Sequence, residues 1–238
     1  MTTHNHPIVS IITVVFNGAK TLRATMDSIV PHLSDEVEYI VIDGGSTDGT
    51  QDIIAEYAGH LAYWVSERDR GIYDAMNKGK KMASGRFLLH INVGDRLIHI
   101  PISTLASMPT NVVCVAGRVH RTKTGTFSPS NGFSLNYHNT LHHQGCFYSK
   151  QHSPDYNTTY RVFADFDVNQ KISSDYRKIA ITNEIIASHE EDGISNNPKY
   201  FREVYEIVKK NRGWIWLTAC WLHFKWQGLK AKTRSYAK

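Results

Sequence analysis

Cysteine is scarce in this chain of 238 residues: Cys114, Cys146 and Cys220 are odd in number and far apart, so no disulfide framework is expected and a reducing, cytoplasmic compartment suits the chain best. Long apolar runs are missing as well. The most apolar stretch, Gly213 to Trp226, falls short of the about 20 residues a helix needs to span a bilayer. The polar segment Met1 to Pro7 leads straight into a strand-like stretch, so no secretion signal is expected. No G-x-G-x-x-G follows that first strand and no G-x-x-x-x-G-K-[ST] occurs anywhere, which argues against a dinucleotide or P-loop site. Acid excess is also lacking. The net charge is +5 and the pI about 9.0, a balance that suits nucleic acid, an anionic membrane surface or a phosphorylated substrate. Nucleic acid is the poorest of these, because no motif for it appears and the aromatics gather at the C-terminus instead of interleaving with a basic surface.

What is present is an ordinary globular composition, with 41% hydrophobic and 21% charged residues, long enough for one large domain with an appendage. The hydrophobic period changes in a regular order through the first hundred residues. Ile8 to Phe16 is rich in β-branched residues and reads as a buried strand; Ala19 to Val30 has helical spacing and stops at Pro31. A strand over Val37 to Ile42, a glycine-rich turn and a short helix over Thr50 to Tyr57 repeat the unit, and Leu61 to Val65, Ile72 to Ala83 and Arg86 to Ile91 repeat it again. This βα alternation predicts an α/β fold, a mostly parallel sheet with helices on both faces. Beyond residue 100 the regularity fails. Short strands over Val112 to Val119 and Gly145 to Ser149 sit among polar loops, followed by a helix over Asp165 to Ser174, a strand over Ile179 to Ala187 and one or two long terminal helices.

Two acids stand at strand ends, where ligands of open α/β sheets bind. Asp43 follows Tyr39-Ile40-Val41-Ile42 and precedes a turn with three glycines, so its carboxylate is expected to project into open space and accept hydrogen bonds from a ribose or base; the alternative is a turn that caps the next helix through Ser46, Thr47 or Asp48. Asp95 closes the apolar run Phe87 to Asp95 in the same way, and its alternative role is to begin a loop. Arg68 and Arg70 carry guanidinium groups suited to phosphate oxygens, one of them reading better as a solvated charge.

The stretches Val9 to Asn17, Val41 to Thr50, Ser66 to Gly79 and Asn92 to Asp95, in this order and spacing, resemble family 2 of the glycosyltransferases, nucleotide-sugar enzymes of the GT-A fold, and in particular bacterial members that build surface polysaccharides such as exopolysaccharide, O-antigen and lipopolysaccharide. The resemblance implies a Rossmann-like domain over residues 1–195, with a donor half (1–99), an acceptor half (100–195) and a C-terminal helical extension (196–238). It implies that Thr13, Val15, Asn17, Asp43, Arg68, Asp69, Gly71, Asn77, Asn92 and Gly94 border the nucleotide sugar. It also implies a divalent metal, Mg²⁺ or Mn²⁺. Relatives carry two or three acids at the metal position, whereas here Asn92 and Gly94 leave Asp95 as the single protein carboxylate, which a metal held largely by substrate phosphates tolerates.

In the second half, Asp165 matches the acid that opens a helix and serves as base in inverting relatives, with Ala164 in place of their Glu; its alternative role is a helix N-cap, and Asp167 is the runner-up base. His143 and Gln144 resemble the strand that borders the acceptor, a glycan or lipid-linked sugar. His138 and Cys146 lie near, but their spacing does not make a zinc site. The aromatic stretch Gly213 to Trp226, flanked by Lys209, Lys210 and Arg212 and by Lys230, Lys232, Arg234 and Lys238, predicts a peripheral helix at the inner face of a bacterial cytoplasmic membrane; packing on the domain or in a homo-oligomer is the alternative. A non-catalytic nucleotide-sugar binder is the rival to the enzyme, since the metal motif is thinned.

Overall fold

A computed structural model describes residues 6–191 and 198–236, with the side chains of 198 and 227–236 left aside. The boundary expected at 195/196 and the basic side chains from Lys230 onward lie outside what is described.

The first hundred residues follow the predicted alternation closely. Strand β1 (Val9–Val15) is followed by α1 (Ala19–Ile29), β2 (Val37–Asp43), α2 (Thr50–Glu56), β3 (Tyr63–Ser66), α3 (Ile72–Met82) and β4 (Phe87–His90). These strands pair in parallel in the order β3-β2-β1-β4. The sheet then changes character. After β5 (Arg96–Leu97) and α4 (Ile102–Ser107) come β6 (Cys114–Arg121), β7 (Gly125–Phe127), β8 (Cys146–Ser149), α5 (Ala164–Ile172) and β9 (Ile179–His189). They extend the sheet as β4-β8-β6-β9-β5, antiparallel at β4/β8, β8/β6 and β9/β5 and parallel only at β6/β9. Parallel pairing therefore dominates the first hundred residues alone.

Strand alternation sorts the core onto two faces. Ile12, Val14, Ile40, Ile42 and Leu88 pack with Tyr73 and Met76 of α3 and Phe166 and Val168 of α5. Ile11, Tyr39, Val41, Phe87 and Leu89 pack on the other face with Leu22 and Met26 of α1, Ile54 of α2 and Leu105 of α4. Helix α3 lies unusually close to the sheet, because a Cβ on Gly79 would meet Ile12 Cγ2 at 2.5 Å.

Two helices end the described chain, α6 (Phe201–Arg212) and α7 (Trp214–Tyr236). Val204, Ile207 and Val208 of α6 and Cys220 of α7 join the same core as α3 and α5. The extension is thus built into the domain. Trp216 meets Phe133 with ring centroids 4.5 Å apart, and His223 stacks on His138 at 4.3 Å. Among the described residues no helix is long and apolar enough to cross a membrane.

Candidate active site

A continuous cleft opens at the carboxyl ends of β1 and β4. One part of it, about 350 Å³, is lined by Val15, Phe16, Asp69, Gly71, Ile72 and Asn92; Ile72 and Asn92 also line an adjoining cavity of about 610 Å³ that holds Asp95, His143 and Gln144. Asp69 accepts the Gly71 N–H at 2.8 Å, and its carboxylate reaches the cleft floor because Gly44 has no side chain: a Cβ there would lie 2.5 Å from Asp69 Oδ2. Phe16, at the end of β1, is 64% exposed beside this pocket. Sequence reasoning did not single it out, although an exposed aromatic after a buried strand is the signal that would have done so.

Several predicted donor residues hold the cleft's frame. Asp43 does not project into open space: it is fully buried, accepting the Ser46 N–H at 2.9 Å, the Ser66 hydroxyl at 2.5 Å and the Ser46 hydroxyl. Its carboxylate is consumed by the turn that follows it and by Ser66 at the end of β3. Thr13 is also sealed away, donating to the Ile91 carbonyl at 2.7 Å and accepting from Tyr39 at 2.9 Å. Asn77 is spent on the Tyr156 backbone, donating to its carbonyl and accepting its N–H at 2.9 Å each. Asn17, at φ 50°, accepts the Thr47 N–H at 3.0 Å and ties the first two strand ends together. The helix caps expected of the second turn come from Asp48, whose two oxygens accept from Thr50 N of α2 and Ala19 N of α1, both at 3.1 Å. Arg68 and Arg70 are both exposed; the Arg68 carbonyl is taken by Lys78, and Arg70 is paired with Asp74 at 3.0 Å.

Asp95 is 4% exposed and lies at the centre of a polar cluster. The antiparallel register of Arg96 with Ser188, carried back one residue, sets Asp95 opposite His189. Asp95 Oδ1 meets His189 Nδ1 at 2.8 Å and the Glu190 N–H at 3.2 Å, while Oδ2 accepts from Gln144 Nε2 at 2.7 Å. Burial pulls the His189 pKa down, but the hydrogen bond and charge of Asp95, with Glu191 and Glu190 behind it, hold it above its ordinary value. Nothing local in the sequence marks His189, whose place depends on pairing between β5 and β9. Gly94 takes φ 98° to make the turn into Asp95, and its N–H is received by Thr25 at 3.0 Å. Two acceptor oxygens in this cluster, Asn92 Oδ1 and Gln144 Oε1, are buried with no partner. Buried oxygens of this kind suit a cation or the hydroxyls of a ligand.

Asp165 joins the same site from α5. It is the second residue of the helix, with Phe163 at the cap position, so it is not the N-cap. Its Oδ2 accepts from Asn139 at 3.3 Å and faces His143 Nδ1 at 3.6 Å, and His143 Nε2 lies 3.1 Å from Asn92 Nδ2. An amide donor on Nε2 leaves the His143 proton on Nδ1, toward the acid. Asp167, the runner-up, is fully buried between Lys171 at 2.6 Å and Asn211 at 2.9 Å and does not reach the cleft. His142, its Nδ1 unpartnered, is pushed down to about 3 by burial and by the neighbouring His143 and His189. Among the described residues no three His, Cys, Asp or Glu side chains group as a metal site.

The family described as glycosyl transferase family 2 matches residues 10–168. A Mycobacterium tuberculosis protein named as a PGL/p-HBAD biosynthesis glycosyltransferase is 32% identical over 209 residues, which cover 80% of each chain. Among solved structures, S. aureus TarS 1-349 superposes with a TM-score of 0.66 at 16% identity over 85% of this chain, which spans 64% of that one. Glucosyl-3-phosphoglycerate synthase from Mycobacterium tuberculosis, solved with Mn²⁺, UDP and glucosyl-3-phosphoglycerate, gives 0.59 at 16% identity over 88% of this chain and 81% of that one. Both share the fold of this protein.

Proposed function

The chain belongs to glycosyl transferase family 2, and on that premise we propose that it moves a glycosyl group from a nucleotide-diphosphate sugar to a glycan or lipid-linked acceptor in the synthesis of bacterial cell-surface polysaccharide, at the inner face of the cytoplasmic membrane. The observation that carries this reading is the chain of contacts Asn92–His143–Asp165, in which a second-half acid stands 3.6 Å behind a histidine that lines the cleft beside the β4 end. Asp165 is the base. As the acceptor oxygen bonds to the anomeric carbon it gives its proton to this carboxylate, and the bond from that carbon to the diphosphate oxygen breaks, which inverts the centre. Gln144 and His143 orient the sugar hydroxyls, and Asp69, Val15 and Asn92 line the donor's place.

The residues around Asp95 fit a divalent cation, since its carboxylate meets the His189 imidazole there and the unpartnered amide oxygens of Asn92 and Gln144 belong to residues lining the same cavity. Asp95 and His189 would hold it, and the mixed oxygen and nitrogen set favours Mn²⁺. A bound cation neutralises charge on the departing diphosphate.

A thermal-shift screen of UDP-, GDP- and dTDP-sugars, each with and without Mn²⁺, tests the reading without knowledge of the acceptor. At least one sugar nucleotide should stabilise the protein in a Mn²⁺-dependent way, and Asp95→Ala should lose that dependence. Stabilisation by none of them would overturn the proposal, and donor hydrolysis by the wild type that stops in Asp95→Ala separates an enzyme from a mere binder.

A further inference from the structure

Glu203 makes an unusual use of its carboxylate. From α6, beyond the span matched by the family, its Oε1 accepts the Arg161 N–H at 2.9 Å and its Oε2 accepts those of Val162 and Phe163 at 2.9 and 3.1 Å. Tyr73 of α3 donates its hydroxyl to the Val162 carbonyl from the other side. Three successive peptide units just before α5 are thereby fixed, where a helix otherwise leaves N–H groups unsatisfied and where negative charge is favourable. The carboxylate is spent on backbone and leaves the Arg161 guanidinium uncompensated.

Arg161 occupies a telling position. Its side chain lines both the cavity of about 610 Å³ that contains Asp95 and a neighbouring one of about 580 Å³. Among the described residues it has no carboxylate at ion-pair distance, whereas Arg70, which also lines the second cavity, is held by Asp74. An unneutralised guanidinium at the rim of a cleft favours an anion, and its planar fork matches phosphate oxygens.

We propose that Arg161 binds the diphosphate of the donor and that Glu203 is a positioning residue which, by fixing the backbone of residues 161–163, keeps that guanidinium on the cleft. The proposal rests on the nucleotide-sugar reading above. It makes α6 part of the site, with the terminal extension completing what the first 168 residues begin.

The experiment measures binding of UDP, GDP and dTDP with Mn²⁺ to the full chain, each against its nucleoside monophosphate. Arg161→Gln should weaken the bound diphosphate about tenfold or more while changing the monophosphate less than about twofold, and Arg161→Lys should retain part of the difference. Glu203→Gln, which keeps its size and one acceptor oxygen, should reduce the diphosphate preference in the wild type and add nothing once Arg161 is already Gln. Glu203→Asp takes its place if that variant does not fold. Additive losses would overturn the positioning role. An unchanged diphosphate preference in Arg161→Gln, or a loss that follows Arg96→Gln in the same cavity instead, would overturn the clamp. Failure of every diphosphate to bind the wild type would instead bring down the nucleotide-sugar reading itself.

Discussion

Two acids sit in the first turn of α5, two residues apart, and the structure gives them opposite situations. Asp165 has only long contacts, Asn139 at 3.3 Å and His143 at 3.6 Å, which leave its carboxylate with open acceptor positions; Asp167 is saturated by Lys171 and Asn211. Asp165→Asn should therefore cut turnover by about 10²-fold to 10⁴-fold while leaving nucleotide binding intact. Asp167→Asn should lower the melting temperature and spare turnover, because it breaks a buried pair and touches no substrate. Donor hydrolysis and thermal unfolding of both variants check this, and a catalytic loss that tracks Asp167 would reverse the assignment. At this scale the sequence showed which acids end strands and open helices. It did not show which polar atoms are already used. Asp43, Thr13 and Asn77 look like ligand groups in a one-dimensional reading, yet their partners Ser66, Tyr39 and Tyr156 come from distant segments.

Helix α7 presents two different faces. Trp216, Leu217, Cys220 and Phe224 pack inward, whereas Trp214 and Ile215, then Trp221 and Leu222 about two turns on, and Trp226 about one turn beyond Leu222 are exposed. Lys209 lies over the Trp214 ring at 4.2 Å and Lys225 over Trp221 at 4.7 Å, which sets cations along the aromatic stripe. Tryptophan beside lysine suits the headgroup layer of a bilayer. The full chain should sediment with vesicles containing anionic lipid, less so as salt is raised, and the combined Trp214→Gln, Trp221→Gln and Trp226→Gln variant should stay in solution while remaining folded. Retention of vesicle binding by that variant would discard the membrane role, and a concentration-dependent dimer lost in the same variant would assign the stripe to a second copy. The inward face was not legible in the sequence, since aromatics dominate both sides. Elements with a strong period were legible: β1 to β4 and the helices between them lie within two residues of their expected bounds. The two-residue β5 was missed, because so short a strand exists only through its pairing with β9.

The molecule as a whole buries imidazoles in both halves, and this governs how it responds to acid. His90, inside the core with an unpartnered Nδ1, is pushed down to about 3 by burial and then by His143 and Lys80; His138, stacked on His223, is pushed down to about 4 by burial and His223. Each is neutral in the folded state and binds a proton more readily once unfolded. The stability they contribute is fully present above the ordinary value of 6.5 and is lost as pH falls toward the lowered values. His189 has the opposite sign, since its raised value favours the fold below 6.5 and gives that contribution up as pH rises through it. Glu38 and Asp74, whose values are lowered, contribute fully above the usual carboxylate range and give that up only as pH falls into it and below. The window from about pH 6.5 to about 4 therefore belongs to the histidines whose values burial lowers, His90 and His138 together with His142, His32 and His223, each contributing at most about 1.4 kcal/mol per pH unit to the slope. Urea unfolding of the wild type should show stability falling across that window, and His90→Leu, which removes one titrating group, should make the fall shallower. An undiminished slope in His90→Leu would mean that this imidazole is not held neutral in the core, and a flat profile in the wild type would remove the role of all the lowered histidines.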